Sequence, residues 1–123
     1  MDFDQENRAQ ISAMKARAMR DPQQFDEKGK VLKVPNKPNR AVLLIGGSPI
    51  SVVFTKDTYP SGRYSEHVSM RGLMAHPLSK ETQAEIIRLV FGDEASQAQY
   101  CPPDAPSHHW VLWRTPPDQA HAE

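Results

Sequence analysis

The sequence predicts an α+β fold: an antiparallel β-sheet of about five to six short strands, one helix at about 80–91 packed on one face, and a second helix at the N-terminus. Three observations carry that expectation. Short apolar, β-branched runs recur from residue 31 onward and are separated by Gly, Pro and polar turn residues. Tyr64 to Arg71 alternate with a period of two. Residues 79 to 92 carry a helix start, an apolar face and a helix stop in the right order.

Residues 4 to 20 read as the N-terminal helix, with Asp4 able to cap its first turn and Ala9, Ala13, Ala16 and Ala18 favouring it. Its apolar stripe, Phe3, Ile11, Met14 and Ala18, is narrow, so the helix needs a surface to dock on, either in its own chain or on a second copy. Asp21-Pro22 ends it, and Gln23 to Gly29 read as linker. Strands follow at Val31 to Val34, Ala41 to Ile45 and Ile50 to Thr55, with Gly46-Gly47-Ser48-Pro49 as a hairpin turn that needs positive φ. As a phosphate cradle that glycine pair fails, because a strand rather than a helix comes next.

After a polar loop at Lys56 to Arg63, Tyr64, Glu66, Val68 and Met70 point one way and Ser65, His67, Ser69 and Arg71 the other. The helix at about 80–91 has Ser79 as N-cap, Glu81 at its positive end and Gly92 as stop, with Ala84, Ile86, Ile87, Val90 and Phe91 facing the sheet. Two last strands, Ser96 to Cys101 and His108 to Arg114, flank the stiff loop Pro102 to Pro106. The expected division is therefore residues 1–29 as helix and linker, 30–115 as the α+β body and 116–123 as a flexible tail.

Composition limits the function classes. The chain has 123 residues with 15 Lys+Arg against 15 Asp+Glu, so no net field draws it to nucleic acid or to an anionic membrane. That balance is uneven along the chain: residues 1–40 hold nine basic and six acidic side chains, and residues 41–123 hold six and nine. The basic excess, Lys28, Lys30, Lys33, Lys37 and Arg40 beside Pro35 and Pro38, reads as a solvated face. No apolar run is long enough to span a membrane, and the acidic start is unlike a signal peptide, so a cytoplasmic location is expected. The single Cys101 excludes an intrachain disulfide and fits a reducing compartment.

Five histidines suggest a metal, but their spacing does not. No Cys-x-x-Cys or His-x-x-x-His occurs, His67 and His76 are far apart, and the neighbours His108 and His109 face opposite sides of a strand. No metal or cofactor is expected, and no catalytic residue is assigned. An enzymatic alternative would pair His67 with Ser69 or Cys101 as a metal-independent hydrolase or nuclease, without an identifiable oxyanion donor. The stronger candidate is a surface. If Val68, Met70, Ala98 and Tyr100 lie under the helix, the other face carries His67, Ser69, Arg71, Gln97 and Gln99, with His109 and Trp113 beside them. The alternative register adds His108 and Trp110 instead. Such a surface suits a base or a protein partner, because Trp and Arg are frequent anchors.

The C-terminal half also carries a resemblance. His67-Val68-Ser69-Met70, Pro77 before the Glu81-to-Phe91 helix, Phe91-Gly92-Asp93-Glu94, Gln99-Tyr100-Cys101-Pro102-Pro103 and Leu112-Trp113-Arg114 resemble a family of small uncharacterised domains common in tailed phages and prophages. The resemblance covers residues 64 to 114 and implies an α+β domain in a phage setting, with no established activity. Cys101 and Val111 stand where that pattern has His, and Ser79-Lys80-Glu81 replaces its Trp-Glu pair. Together these readings describe a non-catalytic binding module that occupies a host protein or a small nucleotide-like ligand as a counter-defence inhibitor. A phage structural or assembly accessory is the alternative, and a homodimer through the N-terminal helix is a further expectation.

Overall fold

The computed structural model describes residues 2–36, 39–72, 78–101 and 108–114, with side chains from residue 5 onward. Lys37, Pro38, His76, Pro77, the Pro102–Pro106 loop and the tail from Pro116 lie outside the described residues, as do the side chains of Phe3 and Asp4. The chain runs α1 (Asp2–Arg20), β1 (Gln23–Phe25), β2 (Val31–Lys33), β3 (Arg40–Ile45), β4 (Ser48–Thr58), β5 (Tyr64–Gly72), α2 (Lys80–Phe91), a 3-10 helix (Gly92–Gln97), β6 (Gln99–Cys101) and β7 (His108–Arg114). The strands form one sheet in the order β2-β1-β4-β5-β7-β6, with β3 also paired to β4. All pairings are antiparallel except β1 with β4. This is the α+β class expected, with one strand more than the sequence suggested.

That extra strand comes from the segment expected to be a linker. Gln23 and Gln24 pair with Asp57 and Thr58, and Thr58 Oγ1 donates to the Gln23 carbonyl at 3.1 Å. The pairing is possible because β4 runs on past Thr55, through three polar residues expected in a loop. Lys56 is held by the Tyr64 ring, 4.3 Å from its centroid, and Asp57 by His67, so polar side chains find partners on a pleated surface. The β3–β4 connection is the hairpin expected, with Gly46 and Gly47 at φ of 60° and 80°, but its turn is only those two residues, because Ser48 and Pro49 already pair with Ile45 and Leu44 in β4.

Both helices cover one face of the sheet. Ala41, Leu43, Ile50, Val52, Phe54, Val68, Met70 and Leu112 pack there against Ile11, Met14 and Ala18 of α1 and against Ile86, Ile87, Val90 and Phe91 of α2. Helix α2 has the boundaries and caps its sequence demands: Ser79 Oγ accepts from Thr82 N at 3.1 Å, and the Gly92 N–H closes the last turn on Arg88. Helix α1 starts two residues before Asp4, which therefore lies inside the helix. Ile11, Met14 and Ala18 of the α1 stripe are buried within their own chain.

Polar contacts fix that docking. Asn7, 3% exposed, sits at the remaining position of the 7, 11, 14, 18 stripe, where its Nδ2 donates to Leu44 O at 2.9 Å and its Oδ1 accepts from Leu44 N at 3.1 Å. A side-chain amide thus pairs with the outer edge of β3 as another strand would. Lys15 Nζ donates to Val90 O at 2.7 Å, at the negative end of α2. Near the other end of the sheet Arg114 binds the buried Glu66 at 2.8 Å and Glu94 at 2.5 Å, tying β5, β7 and the 3-10 helix together.

Candidate functional site

The side of the sheet turned away from the helices carries the candidate site, which we call the open face. Strand register decides what it holds. Thr55, His67, Val111 and Gln99 form one cross-strand row; Val53, Ser69, His109 and Cys101 form the next. Asp57, Ser65 and Trp113 form a third row on one side, and Ser51 and Arg71 a fourth on the other. Six of the expected binding residues, His67, Ser69, Arg71, Gln99, His109 and Trp113, therefore share one face. The choice between the two registers of β7 falls on His109 and Trp113, while Trp110 faces the helices and packs against the core.

Gln97 does not join them. After the Gly92 stop the chain winds a further 3-10 turn, closed by Ala98 N donating to Ala95 O at 3.1 Å, so Gln97 ends that helix and β6 begins only at Gln99. A short polar stretch, Asp93-Glu94-Ala95-Ser96-Gln97, has no alternation to force a strand, and Arg114 anchors Glu94 in the helical form.

The centre of the face is a hydrogen-bonded chain. His67 Nδ1 lies 2.9 Å from His109 Nε2, and His67 Nε2 lies 2.9 Å from Ser65 Oγ and 3.1 Å from Asp57 Oδ2. One proton assignment satisfies these contacts with both rings neutral: His67 Nε2–H donates toward Asp57, and the bare Nδ1 accepts from His109 Nε2–H. Burial, and then repulsion from His67, push the His109 pKa below its ordinary value, with Asp57 pulling the other way. A lowered pKa favours the neutral His109 that this assignment uses. Asp57 Oδ1 is buried without a hydrogen-bond partner.

This arrangement is not a nucleophile triad. Ser65 and Asp57 approach the same ring nitrogen, whereas a triad places nucleophile and acid on opposite nitrogens. Ser65 is also fully buried. Ser69 and Cys101 stand opposite His109 in their strands, but the hydrogen bonds of His67 go to Ser65, Asp57 and His109. Among the described residues no three His, Cys, Asp or Glu side chains are arranged to hold a metal ion. Val111 and Cys101 both fall on this face, opposite His67 and His109.

An aromatic ledge borders the chain. Trp113, 41% exposed, has the Arg63 guanidinium 4.4 Å from its ring centroid and Tyr59 at 5.6 Å, and Tyr59 stacks on Phe25 at 5.1 Å. Sequence reasoning missed Asp57, Ser65, Tyr59 and Arg63. Ser65 shares the parity of His67, and extending the β4 alternation by two residues would have placed Asp57 opposite it. Tyr59 and Arg63 gave no such signal, because a turn brings them to Trp113. No described helix is long and apolar enough to cross a membrane. Comparison with protein-family models, curated proteins and solved structures found no match to this chain.

Proposed function

We propose that this chain is a non-catalytic binding module whose open face occupies the surface of a partner protein. Its setting is a phage or prophage, and its role is to inhibit a host protein in the host cytoplasm. The observation that supports the reading is that neither helix covers the face on which His67, Ser69, Arg71, Gln99, His109 and Trp113 lie together. Along β5, Arg71 is six residues from Ser65, the partner of Trp113, a span of about 20 Å. A single nucleotide is too short to reach both anchors, so a protein surface suits the whole face better than a small nucleotide-like ligand. The exposed apolar side chains Val42 and Leu44 continue the same face onto β3.

The experiment is to isolate the partner from a host lysate and measure its affinity for the wild type and for the Arg71→Ala, Trp113→Ala double variant. Neither side chain is part of the buried core, so the variant keeps its fold and loses the partner by about a hundredfold or more. Undiminished affinity with an intact fold would refute the assignment.

A further inference from the structure

We infer that the β3–β4–β5 end of the open face is a binding site for a phosphate-class oxyanion carried by a small molecule. Arg40, Arg71, Ser51 and Ser69 line one recess of about 320 Å³ together with Val53 and Met70. Register explains the convergence. Val53 has Arg40 opposite it on β3 and Ser69 opposite it on β5, and Ser51 has Arg71 opposite it on β5. Four polar side chains from three strands thus surround one point on β4.

The chemistry of the recess is one-sided. Neither the Arg40 nor the Arg71 guanidinium has an ion pair or hydrogen bond among the described residues. Arg63, Arg88 and Arg114 by contrast are spent on Trp113, on Glu85, and on Glu66 and Glu94. Among the described residues no carboxylate lines the recess. Asp57, the acid of the same face, is six positions along β4 with Oδ2 on His67. Two guanidinium forks and two hydroxyls can all donate, and two like charges sharing one recess repel until an anion lies between them. A carboxylate has two oxygens to accept these donors, whereas a phosphoryl group offers three or four, which is why the site suits phosphate rather than an acidic side chain.

This site lies on the face proposed above but needs no protein partner. The test uses inorganic phosphate, pyrophosphate, ADP and a glutamate-rich peptide, each titrated into the full chain and followed by two-dimensional ¹H–¹⁵N NMR. Pyrophosphate is expected to shift the Ser51 and Ser69 amides saturably. Arg40→Gln and Arg71→Gln should each weaken it by about tenfold, the pair should abolish saturation, and Arg88→Gln, on α2 away from this face, should leave it within about twofold. ADP binding more tightly than pyrophosphate assigns a nucleotide as the source, and equal affinity assigns the phosphate group alone; either supports the site. Shifts that fail to saturate, equal weakening by Arg88→Gln, or binding of the glutamate peptide without pyrophosphate would overturn it. If the Arg71, Trp113 double variant loses its partner while pyrophosphate does not bind, this inference falls and the partner surface stands. The reverse result leaves the anion site and removes the partner.

Discussion

Replacing Asn7 by Ala should destabilise the fold out of proportion to the size of the side chain. The two Asn7–Leu44 hydrogen bonds, at 2.9 and 3.1 Å, contribute about 1 kcal/mol each, and the Leu44 N–H and C=O left beneath α1 add part of a desolvation penalty of about 1–3 kcal/mol. Alanine is the better helix former by about 0.6 kcal/mol, which offsets some of this. The net loss is about 2 kcal/mol. A chain of 123 residues has an unfolding entropy of about 0.26 kcal/mol per kelvin, so the thermal midpoint should fall by about 8 °C. Calorimetry with matched urea titrations reads both values. Asn7→Asp is the sharper variant, since it keeps the acceptor but sets a carboxylate oxygen against the Leu44 carbonyl. Its pKa is raised in the folded state, so the stability it recovers on protonation is present at low pH and lost as pH rises through that value. The deficit against wild type should therefore narrow from about pH 7 to about pH 4. A cost below about 0.5 kcal/mol for Asn7→Ala would show that water replaces the amide at the β3 edge and that the side chain does not close it.

Two further outcomes follow from buried charge. Arg114→Met leaves Glu66, 5% exposed, without its cation and should cost about 3–5 kcal/mol. The Arg114→Met, Glu66→Gln double variant should recover much of that, and a double variant no better than the single would show the loss to be one of packing rather than charge. His109 governs the second. Burial and His67 depress its folded pKa below the ordinary 6.5, so below that value the unfolded chain binds more protons than the folded one. Stability is then lost as pH falls from 6.5 through the lower folded value, and above 6.5 it is fully present and no longer changes with this group. Urea midpoints across this window should fall less steeply in His109→Gln; an unchanged slope would place the titration elsewhere.

What the sequence revealed and what it hid divide along physical lines. Helix α2 was legible to the residue because its cap, face and stop are local signals that agree. Strand β5 was legible because its alternation is complete, and its parity alone brought His67, Ser69 and Arg71 to one face. Gln97 was misplaced because the five residues from Asp93 to Gln97 carry no period, and an ion pair from the distant Arg114 decides their form. Strand β1 was hidden because Gln23 and Gln24 become strand only against Asp57 and Thr58, a pairing that no local preference encodes. Asp57 was hidden for the matching reason: an acid in a strand looks like a loop until its histidine, ten residues on, is seen opposite the neighbouring row.

The two tryptophans of β7 are three residues apart, an odd step, so one strand presents one indole to each side of the sheet. The molecule therefore carries two optical reporters of different events. Trp110, packed against the core and edge-on to Tyr100 at 5.2 Å, senses whether α2 is seated. Trp113, lying under Arg63, senses what arrives from solvent. Emission from single-tryptophan versions of the chain separates the folding of the domain from the occupation of its outer surface, with no label added.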